Sequence, residues 1–249
     1  MFAAPPEQNH TLFTGVLSKT PPVRPLQRRT PSACLTAAFC LLIHGAFAQS
    51  GSDLGAVPPP PPGRSSAPAR PLAAAGVIAE LRKGGYVLYF RHAATDFSQN
   101  DANSRSDDDC ANQRNLSETG RAEARAIGRA FAALRIPVGE VLASPMCRTM
   151  ETARHIAGKA TPVPEVRGRA QFTREDPRRY EGVRIRFLTP RAAGDNLIIA
   201  SHGNPFHGVA GPPYLAEGEM AVIRPTRGDF EVIARVRPAD WEALLVAGR

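Results

Sequence analysis

Two short apolar runs in this sequence end in side chains that can do chemistry. Arg91 and His92 directly follow Tyr86 to Phe90 (YVLYF), and His202 comes two residues after Asn196 to Ala200 (NLIIA). Apolar runs of this length, rich in β-branched and aromatic residues, are typical of buried strands. A cation and an imidazole at such a strand end lie where open α/β sheets keep their sites, beyond the carboxyl ends of the strands. Arg91 and His92 are therefore our first candidates for a reactive site.

A third group of polar residues lies at a predicted helix start. Ser144 followed by Pro145 predicts an N-cap with proline in the first helical position, and the helix should run to Gly158. Arg148 then falls in the first turn, where the helix dipole and the free amides favour an anion. The alternative is a surface ion pair between Arg148 and Glu151, which are three residues apart. A guanidinium in that turn would suit an anionic ligand.

The elements that must position these residues alternate between strands and helices. We predict a polar loop over Phe97 to Asn115, and the segment from Pro162 to Pro190 shows no clear pattern. Alternating strands and helices predict an α/β fold, a three-layer sandwich with a central, mostly parallel sheet and helices on both faces. The other predicted elements are helices over Leu72 to Lys83, from the Ser117 cap to Leu134 and over Pro238 to Val246, and strands at Val141-Leu142, Met220 to Arg224 and Phe230 to Val236.

The first 71 residues differ in composition from the rest. Residues 33–48 (ACLTAAFCLLIHGAFA) follow a positive flank and end in an A-x-A pattern before Gln49, which is the layout of a secretory signal. We predict that residues 1–48 are a leader and signal peptide, that 49–71 form a disordered, Pro-rich linker, and that 72–249 form one catalytic domain. The protein is then exported to the periplasm or secreted, with no stable membrane span after signal cleavage.

The overall charge is moderate and does not point to a charged polymer as a partner. The chain has 31 Lys and Arg against 23 Asp and Glu, a formal net charge of +8, and 43% of its residues are hydrophobic. There is no run of basic residues interleaved with aromatic ones, so we predict no nucleic-acid partner. The sequence does not indicate an oligomeric state.

Four motifs in order resemble the histidine phosphatase superfamily, also called the phosphoglycerate-mutase-like family. They are FRHAATD, LSETGRAEA, ASPMCRTMETA and IIASHGN, and they span most of the predicted domain. The resemblance implies that His92 attacks phosphorus and carries it as a phosphohistidine, that Arg91 and Arg148 hold the phosphoryl oxygens, and that His202 donates a further hydrogen bond to them. The implied activity is hydrolysis of a small phosphomonoester without metal or cofactor.

Other functions remain open at this stage. A non-catalytic phosphate-binding module would keep the arginines but lack a general acid. Mutase activity is disfavoured because an exported enzyme has poor access to sugar-phosphate intermediates. A structural envelope protein displayed by the Pro-rich linker would have no phosphate affinity. A zinc site formed by His92, His202 and His207 lacks any short ligand spacing.

The sequence departs from the family pattern at two positions. Ala93 stands where the family usually has glycine, and if that position needs a positive φ, alanine costs about 1 kcal/mol. Asn204 replaces the aspartate of the acid phosphatase and phytase branch, so a phytase-like enzyme is not expected.

Two features near the site are left open by the sequence. The proton donor to the leaving group is a carboxyl group, with Glu219, Glu181 and Glu175 as the main candidates; Glu165, Asp176, Glu217 and Asp96 are the others. Cys110 and Cys147 are the two cysteines that follow the predicted signal, and in an oxidising compartment they are expected to pair. Such a bridge would join the polar loop to the residue before Arg148.

Overall fold

The central feature of the fold is a six-stranded mixed sheet. The structure is a computed structural model that describes residues 74–169, 172–173 and 175–249. The strand order is β3-β2-β4-β1-β5-β6; the first four strands run parallel and the last two are antiparallel to their neighbours. The strands are β1 Val87–Arg91, β2 Val138–Ala143, β3 Thr161–Pro162, β4 Asn196–Ser201, β5 Met220–Pro225 and β6 Phe230–Val236.

Six α-helices cover the two faces of this sheet. Alternate residues of β1 point to opposite faces, with Leu88 and Phe90 in one apolar cluster and Val87 and Tyr89 in the other. Helices α1, α2, α3 and α6 supply side chains to the first cluster, and α4 and α5 to the second. The helices are α1 Ala74–Lys83, α2 Glu118–Ala133, α3 Cys147–Ala157, α4 Glu181–Leu188, α5 Gly203–Ala210 and α6 Trp241–Ala247. The predicted three-layer α/β sandwich is confirmed.

The parallel strands place their polar ends at one edge of the sheet. Strand β4 lies between β1 and β2, with Arg91 opposite Ser201 and Ala143 opposite Ala200. The hydrogen bonds between β1 and β4 continue one residue past β1. The backbone N–H of His92 donates to the Ser201 carbonyl at 2.9 Å. The carboxyl ends of all three strands therefore meet, as the crevice rule for α/β sheets requires.

Most predicted elements are confirmed, and one helix start is wrong. Ser117 caps α2 as expected, with its side chain accepting from the Gly120 N–H. Helix α3, however, begins at Cys147 with Met146 as its N-cap, two residues after the predicted cap Ser144 and first helical residue Pro145. The Ser144 hydroxyl forms a hydrogen bond with His202 instead. The two residues are 58 positions apart in sequence, so the local sequence around Ser144 could not predict this partner. Arg148 still falls in the first turn.

Two elements lie within the segment that showed no pattern. Strand β3 and helix α4 both fall between Pro162 and Pro190, apart from the first residue of β3. Helix α4 buries only Gly182, Val183 and Phe187, which is too few for a helical repeat to stand out. The predicted leader and linker lie outside the described residues, and within those residues no helix combines the length and the apolarity that crossing a membrane requires.

Candidate active site

His92 is buried at the end of β1 in a form suited to nucleophilic attack. Its side chain is 3% exposed, and its Nδ1 lies 3.0 Å from the Ala93 carbonyl oxygen. A carbonyl can only accept, so Nδ1 carries the proton and donates it. In the neutral ring the lone pair is then on Nε2.

The electrostatic surroundings keep the His92 ring neutral. Burial lowers its pKa to about 3, and the charges of Arg148, Arg91 and Arg114 act in the same direction. An imidazole attacks phosphorus only when it is unprotonated. At neutral pH the His92 ring is therefore unprotonated, the form that an attack on phosphorus would require.

His202 lies beside His92 and is held by two neighbours. The two imidazole ring centroids are 5.6 Å apart. The Ser144 hydroxyl contacts His202 Nε2 at 2.9 Å, and the Tyr89 hydroxyl donates to the His202 carbonyl at 2.7 Å. Burial and the nearby His92 lower the pKa of His202 well below its usual value. Both rings are therefore fixed and uncharged.

Arg91 is oriented by the loop that precedes β5. Its Nη1 donates to the Leu215 carbonyl at 2.9 Å, and its Nη2 donates to Glu217 Oε1 at 3.1 Å. The Nε–H of Arg91 is buried and has no hydrogen-bond partner among the described residues. Arg179, Arg191 and Trp241 also have a buried N–H without a partner among the described residues, so this donor is open to a ligand but does not by itself mark a ligand position.

Arg148 is held in a similar way from the polar loop. Its Nη1 donates to Asp101 Oδ1 at 3.0 Å and to the Arg114 carbonyl at 3.3 Å. Arg148 is 6% exposed, and its Nε–H also lacks a partner within the part of the chain that the structure describes. The two arginines named from the sequence thus each carry a free, buried donor.

A disulfide fastens the polar loop to α3. Cys110 and Cys147 are bonded, and the backbone N–H of Cys147 donates to Gln113 Oε1 at 3.1 Å. The bridge bonds Cys110 of the loop to Cys147, the residue that directly precedes Arg148 in α3. The loop that carries Asp101 and Arg114 is therefore attached to the helix that carries Arg148.

The three main proton-donor candidates do not gather at His92. Burial alone would raise the pKa of the Glu219 carboxyl, but hydrogen bonds from Arg235 and from the Ala216 N–H outweigh it and lower that pKa. Arg235 binds both carboxylate oxygens, at 2.7 and 2.9 Å. Glu219 is thus an ionised partner of Arg235 and poorly suited to donate a proton.

Glu175 and Glu181 are not placed at the site by any contact. Glu175 is exposed and Glu181 begins α4; within the described ranges, neither forms a hydrogen bond or ion pair with the residues around His92. Asp96, another candidate, instead binds Ser98 and Gln99.

The carboxylate nearest to His92 is one that the sequence suggested only as an alternative. Glu217 Oε1 lies 4.0 Å from His92 Nδ1. Its oxygens also accept from the Thr95 N–H and the Thr95 hydroxyl, both at 3.0 Å. Glu217 therefore connects Arg91 to the turn after His92 and positions both. Its place after His202 in the chain was the signal that made it an alternative in the sequence.

Asp101 and Arg114 are the residues that the sequence did not suggest. Asp101 accepts from the Arg114 backbone N–H at 2.9 Å as well as from Arg148, and these bonds lower its pKa against the opposing effect of burial. Arg114 Nη2 lies 4.0 Å from Glu217 Oε1. Both residues belong to a loop without regular repeats, so no periodic pattern could reveal them.

Ala93 fits its position without backbone strain. Arg135 is the one non-glycine residue with positive φ among those described, so the expected cost at Ala93 does not arise. The Ala93 N–H donates to Thr152 Oγ1 at 3.0 Å, and its side chain is buried. No group of three or more His, Cys, Asp or Glu suited to a metal ion is present in the described ranges.

One family model matches part of this chain. Residues 87–184 match the family model of the histidine phosphatase superfamily (branch 1). That range contains Arg91, His92 and Arg148, whereas His202 lies beyond it. No curated protein sequence gives a significant match.

Solved structures of several phosphatases and a mutase are similar to this chain at low identity. A protein histidine phosphatase SixA complexed with tungstate is 16% identical with a TM-score of 0.44, covering 62% of this chain and 98% of that one. A mycobacterial glucosyl-3-phosphoglycerate phosphatase is 14% identical (TM-score 0.44, 60% and 99% covered). A phosphoglycerate mutase from Bacillus anthracis is 12% identical (TM-score 0.44, 68% and 99% covered).

The depressed pKa of His92 predicts a pH-dependent stability. The His92 side chain has a pKa near 6.5 in the unfolded chain and about 3 in the folded protein. Between these two pH values the unfolded state binds a proton that the folded state does not. The free energy of unfolding should therefore fall by about 2 kcal/mol from this group between pH 7 and pH 5. Urea unfolding of the wild type and of His92→Asn at both pH values measures the difference. Equal losses in the two proteins would contradict the neutral, buried ring.

The disulfide predicts a reductant-sensitive fold. The Cys110–Cys147 bridge joins residues that are 37 positions apart, and its reduction should lower the free energy of unfolding by about 3 kcal/mol. Reduction should also weaken phosphate binding, because the loop that holds Arg148 is then no longer bonded to α3. Denaturant unfolding and phosphate titration with and without reductant test this. The Cys110→Ser, Cys147→Ser double variant is the control and should not respond to reductant; wild-type protein that is equally indifferent would refute the prediction.

Proposed function

We propose that the chain is a hydrolase of the histidine phosphatase superfamily (branch 1), whose family model matches residues 87–184. It cleaves a phosphomonoester through a phosphohistidine intermediate on His92. The observation that carries this proposal is the state of the His92 ring. Its Nδ1 proton is held by the Ala93 carbonyl, and its pKa is about 3. Nε2 is therefore an available nucleophile at any physiological pH.

In the first step the Nε2 lone pair forms a bond to phosphorus while the bond from phosphorus to the leaving oxygen breaks. The leaving oxygen takes up a proton from a solvent water and departs as an alcohol. In the second step a water oxygen attacks the phosphohistidine, the N–P bond breaks with its electron pair returning to Nε2, and the water proton is released. The products are the alcohol and inorganic phosphate, and the enzyme is regenerated.

The two arginines support this chemistry by their position and charge. A phosphoryl group in transfer spreads negative charge over its three equatorial oxygens, and fixed guanidinium donors stabilise that charge without reorganising. The buried Nε–H groups of Arg91 and Arg148 have no partner in the described part of the chain, so they are free to bind those oxygens. His202, fixed by Ser144, supplies a further polar contact.

We also propose that the enzyme is exported. The A-x-A pattern after an apolar stretch and the Pro-rich segment that follows it support export. The bond between Cys110 and Cys147 is also of a kind that persists mainly in oxidising compartments. A small phosphorylated compound met outside the cytosol is then the substrate.

Replacement of the nucleophile tests the proposed reaction. His92→Ala should reduce phosphate release from an aryl phosphate by about 10³-fold or more, and a rapid quench into alkaline denaturant should trap phosphorus on the wild type only. His155→Ala, which removes a histidine of α3 outside the site, is the matched control and should retain activity. A non-catalytic phosphate-binding module would bind phosphate but would show neither turnover nor a phosphorylated enzyme. Activity retained in His92→Ala would exclude the proposed mechanism.

Expression of the full chain in a bacterial host tests export. The mature protein recovered from the periplasm should begin at Gln49, as N-terminal sequencing would determine. Ala48→Arg, which destroys the cleavage pattern, should block processing, whereas the conservative Ala48→Ser should permit it. Full-length protein confined to the cytosol in every case would refute export.

A further inference from the structure

Two exposed aromatic rings lie at the candidate active site. Among the described residues, the exposed large hydrophobic side chains are Phe97 (73%), Ile185 (51%), Tyr214 (45%) and Val246 (69%). Isolated exposed hydrophobic residues are common and need no explanation. Phe97 and Tyr214 differ from the other two because each is stacked on an arginine of the site.

Phe97 is connected to His92 through Arg114. The Arg114 Cζ lies 4.7 Å from the centroid of the Phe97 ring, and Arg114 Nη2 lies 4.0 Å from Glu217 Oε1. The same Glu217 oxygen lies 4.0 Å from His92 Nδ1. The arginine covers one face of the ring, and the high exposure of Phe97 means that much of its surface remains accessible.

Tyr214 is connected to the site from the opposite loop. The Arg91 Cζ lies 5.4 Å from the centroid of the Tyr214 ring, so this ring is in contact with one of the two phosphate-binding candidates. The hydroxyl of Tyr214 donates to Asn204 Oδ1 at 2.8 Å. Both the arginine and the amide hold the ring in a fixed orientation.

Gly203 explains why the Tyr214 ring can come so close. It is the first residue of α5 and directly follows His202, and a Cβ at this position would collide with the ring and hydroxyl of Tyr214. The absence of a side chain therefore lets the tyrosine lie against the backbone beside the second histidine. The ring is part of the wall of the site.

We infer that the enzyme prefers phosphomonoesters whose leaving group carries a flat aromatic ring close to the phosphate. This inference rests on the proposed function, since it concerns the same site. A phosphate held by Arg91 and Arg148 leaves its ester group at the mouth of the site, where Phe97 and Tyr214 offer apolar faces. Aromatic rings attract one another beyond the burial of area alone, and the arginines behind them fix their orientation.

A matched pair of substrates tests this preference. Benzyl phosphate and cyclohexylmethyl phosphate have similar size and both release a primary alcohol, so they differ mainly in the aromatic character of the ring. We expect kcat/KM to favour the benzyl ester by about 3- to 10-fold. Phe97→Leu and Tyr214→Leu should each reduce that ratio, and the double variant should bring it close to one.

Ile185→Ala is the control, because it removes an equally exposed hydrophobic side chain from α4 and should leave the ratio unchanged. Phe97→Leu should unfold at the same temperature as the wild type within the small range expected of surface changes. Tyr214→Leu loses the hydrogen bond to Asn204, so its ratio is measured well below its own unfolding temperature. A wild-type ratio of one, or a ratio that survives both leucine substitutions, overturns the inference while leaving the phosphatase activity in place.

A binding measurement separates failure of the inference from failure of the proposed function. Benzylphosphonate and cyclohexylmethylphosphonate cannot be hydrolysed, and calorimetric titration gives their dissociation constants. Aromatic recognition is supported if the benzyl compound binds more tightly and if this advantage is lost in Phe97→Leu and Tyr214→Leu. If the enzyme in addition turns over no ester, only the proposed hydrolysis fails. Equal binding of the two phosphonates overturns the inference.

Discussion

The parallel pairing of β4 with both β1 and β2 is the constraint on which the site depends. It sets Arg91 opposite Ser201 and Ala143 opposite Ala200, so the residues that follow each strand leave the sheet at one edge. Because side chains alternate along a strand, a slip of one residue in either pairing would turn every side chain of that strand to the other face. Two separate apolar clusters, one on each face of β1, oppose such a slip. The catalytic geometry is thus a consequence of core packing.

Burial at this edge has a different effect on each kind of charged group. The imidazoles of His92 and His202 lose their protons, because desolvation and neighbouring arginines both disfavour the cation. Arginine does not lose its proton, so Arg91 and Arg148 must be compensated, and Glu217 and Asp101 do this. The result is a pocket with reactive neutral histidines and fixed cationic donors. Each of the two arginines has one buried N–H without a hydrogen-bond partner in the described part of the chain.

The sequence predicted those parts of the site that follow from strand and helix patterns. Arg91, His92 and His202 lie at the ends of apolar runs, and the rule that parallel strands share a carboxyl edge brings them together. The position of α3 was less certain, because Ser144 is equally suited to cap a helix or to bind His202, and only the tertiary structure decides between them. For the carboxylates the sequence was insufficient. Glu217 and Glu219 are two residues apart, yet one contacts Arg91 and the other is paired with Arg235.

The loop between β1 and α2 contains most of the site residues that the sequence did not predict. Its course is set by side chains such as Asp101 and Gln113 and by the Cys110–Cys147 bond, none of which produces a periodic pattern. Long loops without regular structure in a compact domain are usually functional. The strand ends hold Arg91, His92 and His202, whereas the loop carries Phe97, which contacts Arg114. Because loops accept substitution more readily than strand ends, changes at the mouth can alter which ester is accepted without moving His92.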